Sequence, residues 1–171
     1  MHKIEFIENI PQIPEELLTY NIEEIATMKN QFGDSKVQSY STHNVSDDLY
    51  DFLRPYLGNN IQIRYQIMRK QLPIHIDAHV LSGMSHVFNY VLLAGGEDIK
   101  TRWWEVLNKD QLMFVKDRPR KIIWGDEQDK KQLLHEIVIP LKRWHNLQIN
   151  IPHDISKINT PRLGITVFQN K

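Results

Sequence analysis

The segment Leu72–His79, "LPIHIDAH", sets a polar side chain at every second position of an otherwise apolar run. Along a β-strand successive side chains point to opposite faces. His75, Asp77 and His79 would therefore share one face, with Ile74, Ile76 and Ala78 on the other. Two readings fit. A half-exposed strand shows this alternation with nothing further meant by it. A pair of metal ligands aimed into the mouth of a barrel shows it too. What the remaining sequence builds around the segment decides between them.

The chain has 171 residues, a size at which one domain with a single substantial core is expected, and the whole span 1–171 reads as that domain. Hydrophobic residues make up 41% and charged residues 25%, which places it among ordinary globular proteins. Lys plus Arg equals Asp plus Glu at 21 each, so no net field favours nucleic acid or an anionic membrane as partner. No apolar run approaches the roughly 18 residues of a membrane span. The stretch "MHKIEFIENIPQIPEE" is acidic and broken by prolines, unlike a signal peptide, and a cytoplasmic location is expected. Cysteine is absent, which excludes disulfides, thiolate metal sites and a cysteine nucleophile. A metal would have to be held by carboxylates and by some of the eight histidines.

The first part, 1–58, reads as helical support. From Pro14 to about Asn30, Leu17, Leu18, Ile22, Ile25 and Met28 recur at helical spacing, with Glu15 and Glu16 suited to a first turn. A second helix is expected from an N-cap at Ser46 through "DDLYDFLRPYL", bent or ended by Pro55. From Asn60 the pattern changes to strands. "IQIRYQIMRK", "HVFNYVLLA", "IKTRWWEV", "LLHEIVIPL", "RWHNLQINI" and "RLGITVF" are short and rich in β-branched or aromatic residues. Gly95-Gly96 stands between the second and third of these, close enough to suggest a hairpin. Helices followed by about seven strands predict an α+β domain whose residues 60–169 form an antiparallel sandwich or barrel. The charged region from Asp110 to Lys131 reads as an inserted loop.

Near the C-terminus stands "PHDISKINTPR", with His153 expected to close the strand "RWHNLQINI" and Arg162 to open "RLGITVF" beside it. Two histidines and one carboxylate from strands distant in sequence suit a facial triad for Fe(II), which leaves coordination positions open. An arginine nearby offers a planar fork for a carboxylate.

With these residues the sequence resembles the Fe(II)- and 2-oxoglutarate-dependent oxygenases, in their prolyl-hydroxylase-like and aspartyl/asparaginyl-hydroxylase-like branches. Their pattern is His-x-Asp on one strand, a distant second His, and a basic residue about ten positions beyond. Here that pattern is His75, Asp77, His153 and Arg162. Tyr65 in "IRYQIMRKQLPIH", the segment "NYVLLAGGEDIKTRWWE", and "RWHNLQINIPHDI" with "PRLGITV" extend the likeness over about residues 60–169. The resemblance implies a double-stranded β-helix (a jelly-roll, cupin-like barrel) with N-terminal bracing helices. It also implies oxidation of an unactivated C–H bond, with 2-oxoglutarate and molecular oxygen consumed and succinate and carbon dioxide released. The substrate would be an amino-acid side chain, a peptide or a small metabolite. In those roles His75, Asp77 and His153 would hold the metal, and Arg162 would pair with the distal carboxylate of 2-oxoglutarate. Tyr65, Asn89 and Thr101 would offer hydrogen bonds to the same cosubstrate. The sequence departs from the family pattern at Gly164, where many members carry Ser or Thr, and at Met68, where a Gly often stands. Thr166, on the same strand face, could substitute for the missing hydroxyl.

Plainer readings stand beside these. His79 is expected past the strand end, and His145 at the start of its strand, too far from Arg162 to be the distal ligand. His86 and His135 suit core or rim positions; His2 and His43 suit the surface. Of Trp103 and Trp104, opposite parity sends one to the core and the other towards an entrance. Other functions also remain open: a cupin-like metal barrel without 2-oxoglutarate chemistry, or a barrel serving as an interaction module.

Overall fold

The computed structural model describes residues 3–18, 20–21, 40–72, 74–77, 83–107, 112–114, 122–124 and 131–169. Short strands β1 (Ile4–Phe6) and β2 (Tyr40–Asn44) precede helix α1 (Asp47–Leu57). Then follow β3 (Ile61–Met68), β4 (His75–Ile76), β5 (His86–Leu93) and β6 (Lys100–Val106). After β7 (Leu112–Phe114) and β8 (Ile122–Trp124) come β9 (Lys131–Val138), β10 (Trp144–Gln148), β11 (His153–Ile155) and β12 (Arg162–Gln169).

These strands form two six-stranded antiparallel sheets. The first has the order β1-β10-β5-β12-β3-β2 and the second β7-β8-β4-β11-β6-β9. From β3 to β6, and again from β9 to β12, each strand lies in the opposite sheet from its predecessor. This is a jelly roll, and strands distant in sequence become neighbours in it. His153 of β11 thus pairs with His75 of β4.

The crossing course corrects two expectations. The Gly95-Gly96 turn does not close a hairpin, because β5 and β6 belong to different sheets. His153 does not close the strand of Trp144–Gln148; it opens β11 on the second sheet, while Arg162 opens β12 on the first. The stretch between them is a crossover, not a hairpin turn.

The alternation of β3 explains the first sheet. Ile61, Ile63, Tyr65 and Ile67 point outward and join Leu163, Ile165, Val167, Tyr90, Leu92 and Trp144 in a buried cluster. Leu49, Leu53 and Leu57, one stripe of α1, close over it. Ser46 caps α1 by accepting from the Leu49 amide at 3.3 Å, as expected. The helix continues through Pro55 to Leu57, and Gly58 follows it at φ 92°. The other expected helix appears only as a single 3-10 turn, Glu15–Leu17, after which the backbone leaves helical geometry at Leu18. Ile10, Ile13 and Leu18 instead anchor this segment in the cluster, the Ile13 amide donating to the Tyr90 hydroxyl at 3.3 Å and Trp144 Nε1 to the Pro11 carbonyl at 2.8 Å. The remainder of that predicted helix lies outside the described residues. No described helix is long and apolar enough to cross a membrane. The region read as an inserted loop contains β7 and β8, which extend the second sheet beyond β4.

Candidate metal centre and carboxylate pocket

His75 and His153 face each other across the β4–β11 ladder, both buried, with ring centroids 4.7 Å apart. Asp77, just past β4, is held by its amide on the Ile149 carbonyl at 3.3 Å. Its Oδ1 lies 3.3 Å from His75 Nε2 and 3.9 Å from His153 Nε2. One ligand atom from each of the three side chains falls within 4.8 Å of the others. His153 Nδ1–H donates to the Ile151 carbonyl at 2.8 Å, which orients the ring and leaves Nε2 as the lone pair facing the cluster. Burial first, and the neighbouring His75 second, hold the His153 pKa below the ordinary imidazole value. A neutral imidazole is the form that binds metal. The alternation in "LPIHIDAH" therefore does place His75 and Asp77 together with His153. His79 lies outside the described residues.

The next inward-facing rung beyond His153 is Ile155, paired with Thr101 of β6. There a pocket opens between the sheets. The second sheet lines it with Thr101 and Ile155, and the first with Gln66, Asn89, His145 and Arg162. Arg162 is 8% exposed, and burial pushes its pKa down to about 10. One N–H, on Nη1, donates to the Ala94 carbonyl at 2.9 Å. Among the described residues no carboxylate pairs with it. Thr101 is 1% exposed, and its hydroxyl has no hydrogen-bond partner among the described residues. Thr166 donates to Asn89 Oδ1 at 2.7 Å, with Gln66 Oε1 at 3.1 Å.

Local backbone fixes the arginine. Gly95, at φ 91°, accepts from the amides of Asn159 and Thr160 at 2.8 and 3.1 Å, tying the β5 end to the crossover before β12. A Cβ on Gly95 would sit 2.9 Å from Ile158 Cγ2 and 3.0 Å from Arg162 Cβ, so only glycine fits. Gly164 also lines the pocket, and a Cβ there would lie 3.2 Å from the Tyr90 carbonyl oxygen, at an irregularity in the β12–β5 register.

The structure thus brings together Arg162, Asn89 and Thr101, but not Tyr65. Tyr65 has the opposite parity on β3 and packs in the outer cluster, tilted against Tyr20 at 6.1 Å; its neighbour Gln66 takes the pocket side. His43 is buried, not on the surface. Trp103 is fully buried and donates to the Gln148 carbonyl at 3.0 Å. Trp104 turns to the outer face, where its Nε1 and a bidentate Arg102 (2.9 and 2.6 Å) share the buried Asp154 carboxylate. Neither tryptophan lines the pocket. His145 begins its strand, as the sequence implies, yet it is a pocket residue that sequence reasoning set aside. Its parity with Leu147 on β10 was a readable sign of an inward face; its register with Asn89 was not.

No protein-family model matches the chain, and no curated protein matches it. Solved structures to which the chain is similar include hydroquinone 1,2-dioxygenase from Sphingomonas sp. TTNP3 with bound 4-hydroxybenzoate, at 11% identity and a TM-score of 0.46, covering 98% of this chain and 82% of that one. Peruvianin-I, a cysteine peptidase from Thevetia peruviana latex, matches at 9% identity and a TM-score of 0.41, over 92% of this chain and 75% of its own. A deletion mutant of Bacillus subtilis oxalate decarboxylase matches at 10% identity and a TM-score of 0.37, over 88% of this chain. This chain spans 29% of the length of that decarboxylase.

Proposed function

We propose that this protein is an Fe(II)- and 2-oxoglutarate-dependent oxygenase that hydroxylates an amino-acid side chain, a peptide or a small metabolite. The observation that carries the reading is Arg162: a buried guanidinium without a carboxylate partner among the described residues, in a pocket shared with Thr101 and Ile155, the rung that follows His153 of the three convergent side chains. A buried cation is stable only when something offsets its lost hydration, and a ligand carboxylate is the group it fits. The orphaned Thr101 hydroxyl points to the same missing ligand.

The residues present fit both groups. His75, Asp77 and His153 would hold iron on one side and leave other positions open. Bound there with 2-oxoglutarate, the iron would supply dioxygen activation, with succinate and carbon dioxide released. Arg162 would grip the distal carboxylate of 2-oxoglutarate, and Thr101 and the amide of Asn89 would complete its hydrogen bonds. Tyr65 has no part in this set.

The test is anaerobic titration of the apoprotein with Fe(II) and then 2-oxoglutarate, followed by visible absorption. A metal-to-ligand charge-transfer band is expected in the wild type and in neither Asp77→Ala nor Arg162→Ala. Iron bound without the band overturns the 2-oxoglutarate assignment. Failure to bind iron overturns the oxygenase as a whole.

A further inference from the structure

His145 lies in the wall of the same pocket, 1% exposed, and nothing in the proposed reaction uses it. Its tautomer is set by the backbone. Nδ1–H donates to the Arg143 carbonyl at 3.1 Å, and a carbonyl can only accept, so Nε2 carries a lone pair. Among the described residues that lone pair has no partner. The pocket therefore presents a guanidinium and a bare acceptor from the first sheet and a hydroxyl from the second. A carboxylate brings only acceptors. Set between Arg162 and His145, it would meet one complementary group and one opposed to it.

We propose that His145 and the carboxylate held by Arg162 share a proton, taken up from solvent when the ligand binds. This inference rests on the pocket taking a carboxylate, but not on iron or on oxygen chemistry. The proton lies between Nε2 and a carboxylate oxygen, and converts two opposed acceptors into a charge-assisted hydrogen bond. Before binding, the same site disfavours that proton: burial and the Arg162 cation lower the His145 pKa to about 4. A ligand anion offsets the cation and supplies a partner for the charged imidazole, so the proton becomes favourable on binding.

The surroundings give His145 no competing charge. From β1, Phe6 meets its ring edge-on at a centroid distance of 6.3 Å, and Glu5 registers with Asn146, on the opposite face. β5 offers neutral Asn89 and the second sheet Thr101 and Ile155. The Arg143 guanidinium lies over the Phe6 ring and pairs with Glu8 at 2.5 Å. Arg162 of β12 is the charge that acts on the imidazole.

The experiment is calorimetric titration of the full chain with glutarate, which has the carboxylates but no keto group to chelate a metal. Repeating it in buffers of different ionisation enthalpy reads proton uptake directly. The wild type is expected to take up about one proton per glutarate at neutral pH, and its affinity to rise as pH falls, by up to about tenfold per unit. His145→Gln, which keeps the polarity but cannot hold the proton, is expected to bind glutarate with no uptake. Nitrogen-15 shifts of the His145 ring in the wild type, with and without glutarate, give a reading that needs no variant. Binding without proton uptake, uptake unchanged in His145→Gln, or no glutarate binding at all would each overturn the proposal. The iron titration stands apart from this one: glutarate can bind with proton uptake even where no charge-transfer band forms, and the two readings then fail separately.

Discussion

Arg162 and His145 are residues that the fold by itself has no reason to bury. Burial alone holds the Arg162 pKa down to about 10, a desolvation on the order of 3 kcal/mol. Arg162→Met should therefore leave the ligand-free protein as stable as the wild type or more so, by on the order of 1 kcal/mol in urea unfolding, while abolishing dicarboxylate binding. A stability loss of several kcal/mol would instead make the arginine a structural residue. His145 carries its own signature in pH. Its pKa falls from 6.5 to about 4 on folding, so between those values the unfolded chain holds a proton that the native state lacks. Stability present above pH 6.5 is lost as pH falls towards about 4, on the order of 3 kcal/mol in all. Urea unfolding of metal-free protein across that range should show the slope, and His145→Gln should reduce it. The buried His43, also shifted down, adds to the slope in the same direction.

Among the elements, β11 is the one whose shortness matters. Three residues long, it is held between β4 and β6 and delivers His153 inward from a rung whose next side chain, Asp154, points out. Arg102 and Trp104 of β6 grip that carboxylate from outside. Arg102→Ala would leave the carboxylate, 4% exposed, without its cation. A loss on the order of 2 kcal/mol in thermal or urea unfolding is expected, with weaker metal binding because the strand that aims His153 is loosened. Unchanged metal affinity would show that β11 is held by its ladder alone. The elements also show where the sequence could be read and where it could not. Period-two alternation in "IQIRYQIM" and "HID" and the Ser46 cap are local signals, and the structure follows them. Which sheet receives each strand is not local. Eight residues between His153 and Arg162 look the same on paper whether they turn a hairpin or cross a barrel. The resemblance implies a cosubstrate contact for Tyr65, whereas the parity of β3 sets it with Ile63 and Ile67 in the outer cluster. The predicted helix from Pro14 rested on apolar spacing, but Ile10, Ile13 and Leu18 are used as separate anchors along a non-helical path, with one short turn among them.

At the scale of the molecule, the three candidate ligands, on β4, on β11 and just after β4, lie on parts of the chain that otherwise meet through a ladder of few rungs. A divalent ion that binds the native state alone should raise the midpoint of thermal unfolding. At about a hundred times its dissociation constant it would add about 2.7 kcal/mol. Differential scanning calorimetry with and without Mn(II), and with Asp77→Ala as the control, measures this; an equal rise in the variant would place the ion elsewhere. The arrangement of the two sheets was foreseen as a barrel of antiparallel strands, because a run of short β segments without a spanning repeat has few other ways to bury its faces. The site residues were legible as a set only through their order in the chain, since nothing local says that position 75 will lie against position 153.

That pairing has a consequence for how the protein is made. Contacts between distant parts of a chain form late, because closing long loops is entropically unfavourable until neighbouring contacts already hold the ends. His153 and Arg162 leave the ribosome long after His75, and the second sheet must wait for β11, as the first must wait for β12. The His75–Asp77–His153 cluster and the pocket at Arg162 are thus among the last features to exist during synthesis. A nascent chain presents no such cluster while its early strands assemble, and any ion it takes would be loaded after the jelly roll closes.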